Sequence, residues 1–317
     1  MPNKVTIPLC GVAAADGIIP LMTQPPLTIL NRLESLFPHA RKTTLREMIE
    51  HKRVRLNGVP VKSLKQTVTN SDKLEVTTLS EAPSKHVILE ENLKLVFADT
   101  HIVIIDKPAG LLTSTHAKEP RPTALKILSD HFRRQNAKSQ IHLIHRLDKD
   151  ASGLLVFART GPDFTALKKQ FFEHTITRRY DVLVHGIPEK KEDRLENFLL
   201  EDEKLGVVHP TPDEKKGKLA ILDYVTIQSD KNKRIAHLLC TLFTGRKHQI
   251  RVQLKSLGHP VLADPIYGRK TALQEPPHRL ALHASHLTFT HPKTKRLVSF
   301  DSPMPGSFAH LFRTSGK

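Results

Sequence analysis

From residue 93 onward, the apolar residues of this chain fall into short, β-branched runs that no regular series of helices separates. Runs at 95–97, 102–105, 154–157, 180–184, 219–227, 236–243 and 297–300, several bounded by turn residues, read as strands. Helical spacing is confined to 123–132, 164–172 and 249–257. A parallel sheet needs a crossover, usually a helix, between successive strands. The pattern therefore favours an α+β domain with a mixed, mostly antiparallel sheet over a doubly wound one. At 317 residues the chain is about twice the size of one ordinary domain. Residues 93–317 are expected to form the larger one.

The segment before it has another character. Leu30, Leu33, Leu36 and Phe37 lie on one helical face, Pro38 interrupts, and Leu45, Met48 and Ile49 share a second helical face after Thr43 or Thr44. Val54–Leu56 and residues 59–61 flank Asn57-Gly58, the strongest short hairpin signal in a sequence. Between 30 and 76 there are 10 Lys/Arg against 5 Asp/Glu, a surplus of +5 in a very small unit. Two helices and a hairpin with bases around the second helix and the turn resemble the αL RNA-binding module first described in a ribosomal small-subunit protein. That resemblance assigns RNA contacts to Arg46, Lys52, Arg53 and Arg55. The expected layout is an arm at 1–26, the small RNA-binding domain at 27–77, a linker at 78–92, and the large domain. The apolar stretch 5–22 makes a poor secretory signal, with one preceding Lys and with Pro8, Asp16 and Pro20 inside it, and reads as a loosely docked arm.

Charge narrows the partners. Lys and Arg total 49 against 32 Asp and Glu, giving +17 and an affinity for polyanions, nucleic acid first. Two cysteines, Cys10 and Cys240, cannot build a disulfide framework and lack zinc-site spacing, which points to a reducing compartment. No run of eighteen apolar residues is present, so no membrane partner is expected. The sequence contains no phosphate loop, no dinucleotide fingerprint and no serine-nucleophile elbow. The 19 histidines form no metal-ligating array, and no metal is expected.

Chemistry concentrates in two strings. In HRLDKDASGLLVF (145–157), five titratable or charged residues precede a Ser-Gly turn and an apolar strand. Taken alone, Asp148 beside Arg146 is equally compatible with a plain salt bridge. In TGRKHQIRV (244–252), a basic helix start could simply hold a phosphate.

Together with IIDKPAGLL, RRYDVLVHG, SLGHPVLADPIYG and LHASHLTFTHP, in that order, these strings closely resemble the RNA pseudouridine synthases of family A, the branch carrying HRLD. The resemblance runs from about residue 93 to the C-terminus. It departs at Ala151, where Thr is usual, and at Lys247, where Thr is common; both flank key positions without replacing them. It implies uridine-to-pseudouridine isomerisation with no cofactor, since no group leaves and no redox change occurs. Asp148 becomes the catalytic carboxylate, as nucleophile or as base. Arg251 becomes its charged partner, Tyr180 the aromatic that stacks on the extruded uracil, and Arg146 the residue entering the vacated space. Arg246 joins the RNA-binding set. The expected partner is structured RNA, large-subunit ribosomal RNA ahead of transfer RNA, in the cytoplasm, with no obligate protein partner. The competing expectation is a non-catalytic, ribosome-associated RNA-binding or assembly factor. A nucleoside hydrolase using Asp150 as second acid is the remaining alternative.

Overall fold

The computed structural model describes residues 4–7, 27–37, 42–50, 54–69, 72–77, 87–115, 121–268 and 277–312. Its contacts separate into two units: Met1–Ala82 with Phe289–Ser299, and Pro83–Thr288 with Phe300–Lys317.

The first unit holds β1 (Lys4–Ile7), α1 (Ile29–Leu36), α2 (Lys42–Glu50), β2 (Val54–Leu56), β3 (Val59–Pro60) and β4 (Leu74–Thr77). Thr28 caps α1 reciprocally: its hydroxyl accepts from the Asn31 N–H, and the Asn31 side-chain oxygen accepts from the Thr28 N–H. Ile29 and Leu33 of α1 bury against Leu45 and Met48 of α2 and Val54 and Leu74 of the sheet. The helix–helix–hairpin order is as expected. Asn57 (φ 52°) and Gly58 (φ 83°) both take the left-handed conformation that a two-residue hairpin turn requires. Two details differ from the sequence reading. α2 begins at Lys42, so Thr43 and Thr44 lie inside it instead of capping it. And the N-terminal arm contributes a strand: β1 adds to the sheet edge beside β4, giving the order β1-β4-β2-β3.

The second unit contains β5 (Val87–Ile88), β6 (Lys94–Ala98), β7 (Ile102–Lys107), α3 (Ala124–Gln135), β8 (His142–Leu143), β9 (Ser152–Ala158), α4 (Gly161–Phe172) and β10 (Thr177–His185). It continues through β11 (Glu192–Asp202), β12 (Val207–Thr211), β13 (Lys218–Asp230), β14 (Ile235–Leu242), α5 (Gln249–Ser256), β15 (Leu282–Thr290), β16 (Leu297–Asp301) and α6 (Gly306–His310). Among the described residues the large sheet runs β12-β11-β13-β14-β10-β15-β9-β7-β6-β5, with β16 beside β15 and β8 beside β9. It is mixed and mostly antiparallel; β9 and β15 run parallel, through Ser152–His283 and Gly153–Ala284. β9 is buried along its whole length, which explains its continuous apolar run.

Two buried glutamines seat α5 on this sheet. Gln249 accepts from the Thr244 hydroxyl (2.8 Å) and the Arg246 N–H (3.0 Å) and donates to the Ile221 carbonyl (3.1 Å). One turn on, Gln253 donates to the carbonyls of Leu195 (3.0 Å) and Ala220 (3.1 Å). Polar side chains thus occupy the helix face that would ordinarily be apolar, because they satisfy backbone groups of β11 and β13.

Gly153 opens β9 with φ 113°, and a Cβ there would lie 2.3 Å from the Ala284 carbonyl oxygen. Gly153→Ala is therefore expected to cost at least about 2 kcal/mol, from backbone strain plus the forced separation of β9 from β15. Urea unfolding checks it; a midpoint equal to that of wild type would contradict the parallel contact.

Candidate active site

The second unit gathers its charged residues around Asp148, in the loop between β8 and β9. The backbone on either side of Asp148 is held in place. Leu147 exchanges two hydrogen bonds with the Thr113 hydroxyl, 2.9 Å from its carbonyl and 3.2 Å from its N–H. The Lys149 carbonyl accepts from the Gly110 N–H (2.9 Å) and from Lys107 Nζ (3.0 Å). Lys107 is wholly buried and also donates to the carbonyls of Pro108 (2.9 Å) and Leu111 (2.7 Å). Three acceptors match the three N–H donors of an ammonium. Burial pushes its pKa down to about 7, against the pull of Asp148, Asp150 and Asp106.

Arg251, on the buried face of α5, divides its guanidinium between two carboxylates. Nε and Nη2 form a bidentate pair with Asp264, both at 2.7 Å, and Nη1 donates to Asp148 Oδ2 at 2.9 Å. The planar fork is thus spent on Asp264, and Asp148 receives a single bond. Burial works to lower the Arg251 pKa, but both carboxylates outweigh it and raise it further. The Asp264 side chain is fully buried. Burial acts to raise its pKa, yet the Arg251 bonds and the N–H groups of Tyr267 (3.0 Å) and Ile266 (2.9 Å) hold it below the usual carboxylate range. The Asp148 side chain remains 24% exposed, and its Oδ1 bonds no described residue. One carboxylate oxygen is anchored and the other is free.

Tyr180 stands on β10, opposite Cys240 and Ala284. Its ring is 5% exposed and its hydroxyl bonds no described residue. Burial raises the phenol's pKa; Arg178 opposes this, and the Asp148 charge adds to it. On the other side, Tyr267 lies under the Arg251 guanidinium, 5.1 Å from its ring centre. Tyr267 Oη accepts from the Val208 N–H (2.7 Å) and shares a second hydrogen bond with His248 Nδ1 (2.9 Å).

The remaining expected residues are dispersed. Arg146 is exposed two positions before Asp148. Arg246 is exposed and donates through Nε to the Leu219 carbonyl (2.9 Å). In the first unit, Arg46 is exposed on α2, and Arg55 reaches the Gly58 carbonyl (3.3 Å). Lys52 and Arg53 lie outside the described residues. Sequence reasoning quoted the strings holding Lys107, His248, Asp264 and Tyr267 but assigned these four no role.

Asp264→Asn should cost about 3–5 kcal/mol, because a buried guanidinium loses its compensating charge. The native carboxyl titrates below its unfolded value of 3.8. Its stabilisation is therefore complete above that value and lost as pH falls through the native pKa. Urea unfolding at pH 7 and in acid checks both parts: the gap between wild type and variant should be full at pH 7 and shrink only at low pH.

Comparison with known proteins adds lineage to this geometry. The RNA pseudouridylate synthase family model matches residues 101–256, and the S4 domain model matches residues 31–74. The chain is 36% identical to a ribosomal large subunit pseudouridine synthase D of Zymomonas mobilis, over 70% of this chain and 72% of that protein. It is 33% identical to one of Nitrosomonas europaea, over 89% and 82%. The human RNA pseudouridylate synthase domain containing 4 shares the fold at TM-score 0.57 and 21% identity, over 68% of this chain and 90% of that one. Identity of this level over most of both chains, on a site already built around Asp148, means that the chain belongs to the RNA pseudouridylate synthase family and is an RNA pseudouridine synthase.

Proposed function

We propose that this enzyme isomerises specific uridines of large-subunit ribosomal RNA, as a member of the HRLD branch, with its αL-like first unit helping to hold the RNA. The observation that carries the catalytic reading is the half-exposed Asp148 carboxylate, with one oxygen fixed by Arg251 and the other open. The names of the relatives support the ribosomal target, and transfer RNA is the second candidate. A cytoplasmic location follows from that target; among the described residues, no helix is long and apolar enough to cross a membrane.

In this reading the uridine leaves the RNA stack at a cost of a few kcal/mol, and Arg146 fills the gap. Asp148 Oδ1 acts at the sugar while Arg251 anchors the carboxylate through its other oxygen. The N1–C1′ bond breaks, the uracil turns within the pocket, and C5 bonds to C1′. The C5 proton is then lost and N1 gains one, so atoms balance without a cofactor. Tyr180 stacks on the uracil, and its hydroxyl, which bonds no described residue, is the group assigned to moving the C5 proton. The +17 charge supplies affinity for phosphates, which weakens as salt rises.

Asp148→Asn keeps the side chain's shape and removes its charge. Pseudouridine formation, mapped chemically on large-subunit ribosomal RNA, should fall below detection while RNA binding stays within about threefold. Loss of binding together with activity would make Asp148 structural and overturn the assignment. Tyr180→Phe keeps the ring and removes the hydroxyl; kcat should fall about 10²-fold, with KM nearly unchanged, in single-turnover and steady-state assays. Ribosomal RNA from cells with and without the gene would then identify the uridines.

A further inference from the structure

Among the described residues, the second unit buries three Lys or Arg side chains, and two of them have their charge matched. Arg251 pairs with Asp148 and Asp264, and Lys107 lies in the field of Asp148, Asp150 and Asp106. Arg178, 8% exposed on β10, pairs with no described carboxylate. Its Nη2 donates to the carbonyls of Leu242 (3.3 Å), Phe243 (3.2 Å) and Thr244 (3.2 Å), at the end of β14 and in the loop after it. The guanidinium carbon lies 5.2 Å from the centre of the Phe171 ring, and Nε is buried with no partner. Gly245 leaves room for the group, since a Cβ there would come within 3.2 Å of Nη1. Burying a charge among carbonyls and a ring is costly. A tie between β10 and this loop needs no charge; what the charge adds is a fixed positive field.

That field falls on Tyr180. Side chains alternate between the faces of a strand, so Arg178 and Tyr180 stand on the same face of β10, and both are buried there. Burial and the Asp148 charge both disfavour a negative charge on the Tyr180 oxygen, and Arg178 opposes them. Tyr180 in turn is the ionisable group that offsets the burial of Arg178. We propose that Arg178 is a positioning residue for the isomerisation: three carbonyls hold its unmatched charge on the Tyr180 face of β10, where it steadies the phenol oxygen while the C5 proton is moved. The proposal rests on the functional reading, in which that hydroxyl moves the proton. Arg178 itself makes and breaks no bond. The C5–H electron pair returns to the ring as in that reading, and the guanidinium acts only on the charge that the phenol oxygen carries meanwhile.

The test uses the full chain in single-turnover and steady-state assays on ribosomal RNA. Arg178→Met, unbranched and neutral, should lower kcat about tenfold, with KM and RNA binding nearly unchanged. Arg178→Lys, whose ammonium can use the same three carbonyls, should recover most of that loss. The deciding arm is Tyr180→Phe. In that background Arg178→Met should change kcat by less than about twofold, because losses that act through one group do not multiply. Gly245→Ala presses a methyl on Nη1 and keeps the charge. It should give a smaller loss that also vanishes beside Tyr180→Phe, and it carries the test if Arg178→Met does not fold. Losses that multiply in full with that of Tyr180→Phe, or a Lys variant no faster than the Met one, would make Arg178 structural and overturn the inference alone. A Tyr180→Phe enzyme as fast as wild type overturns the role given to the hydroxyl and the inference with it. A wild type that makes no pseudouridine overturns the functional reading as a whole.

Discussion

A single guanidinium shared by two carboxylates organises the catalytic unit. Arg251 could not remain buried on α5 unless its charge were matched, and Asp264 matches it with two parallel bonds in a fully buried setting. Only then does the remaining N–H reach Asp148 with a fixed direction. The outcome is a part-buried carboxylate anchored through one oxygen while the other is kept for chemistry. Had Asp148 taken the whole fork, both its oxygens would be occupied by the arginine and neither would face a substrate. The buried aspartate makes the exposed one usable.

The same logic extends to the surroundings. Lys107, Gly110 and Thr113 fix the backbone before and after Asp148, so the loop is positioned before any RNA arrives. Gln249 and Gln253 fix the helix that brings Arg251. His145, at the head of the HRLD string, serves the scaffold: it accepts from the Val156 N–H (3.2 Å), and burial, with Arg178 and Lys168 nearby, pushes its pKa down to about 3 and keeps it neutral. Preorganisation here comes from polar groups that satisfy backbone atoms, a costly arrangement in a core unless every bond is made.

Much of this was legible in the sequence, for identifiable reasons. Short β-branched apolar runs and the Asn57-Gly58 turn report local backbone preference, and the strands and hairpin follow them. Asp148, Tyr180 and Arg251 stood out because the strings that hold them resemble those of the RNA pseudouridine synthases; the density of charge alone left Asp148 open to a plain salt bridge. Asp264 did not, because its role exists only through a partner thirteen positions away in a loop whose fold no propensity encodes. Lys107 was equally silent: a lysine after an apolar strand reads as a solvated end, and only the carbonyls of a distant loop explain its burial. The strand Lys4–Ile7 was missed because an edge strand is defined by the neighbour it joins. Thr43 and Thr44 resemble a helix cap in isolation, yet α2 starts one residue earlier.

The two ends of the Asp148–Arg251 bond lie 103 residues apart in the chain, and Asp264 follows later still. A polypeptide emerging from its own ribosome therefore carries the reactive carboxylate long before the groups that arm it. During that interval the growing chain already holds the segment matching the S4 domain, but it has no competent centre. The centre can form only after the segment through Asp264 has been made, so the reactive carboxylate waits in the chain for the pair that positions it.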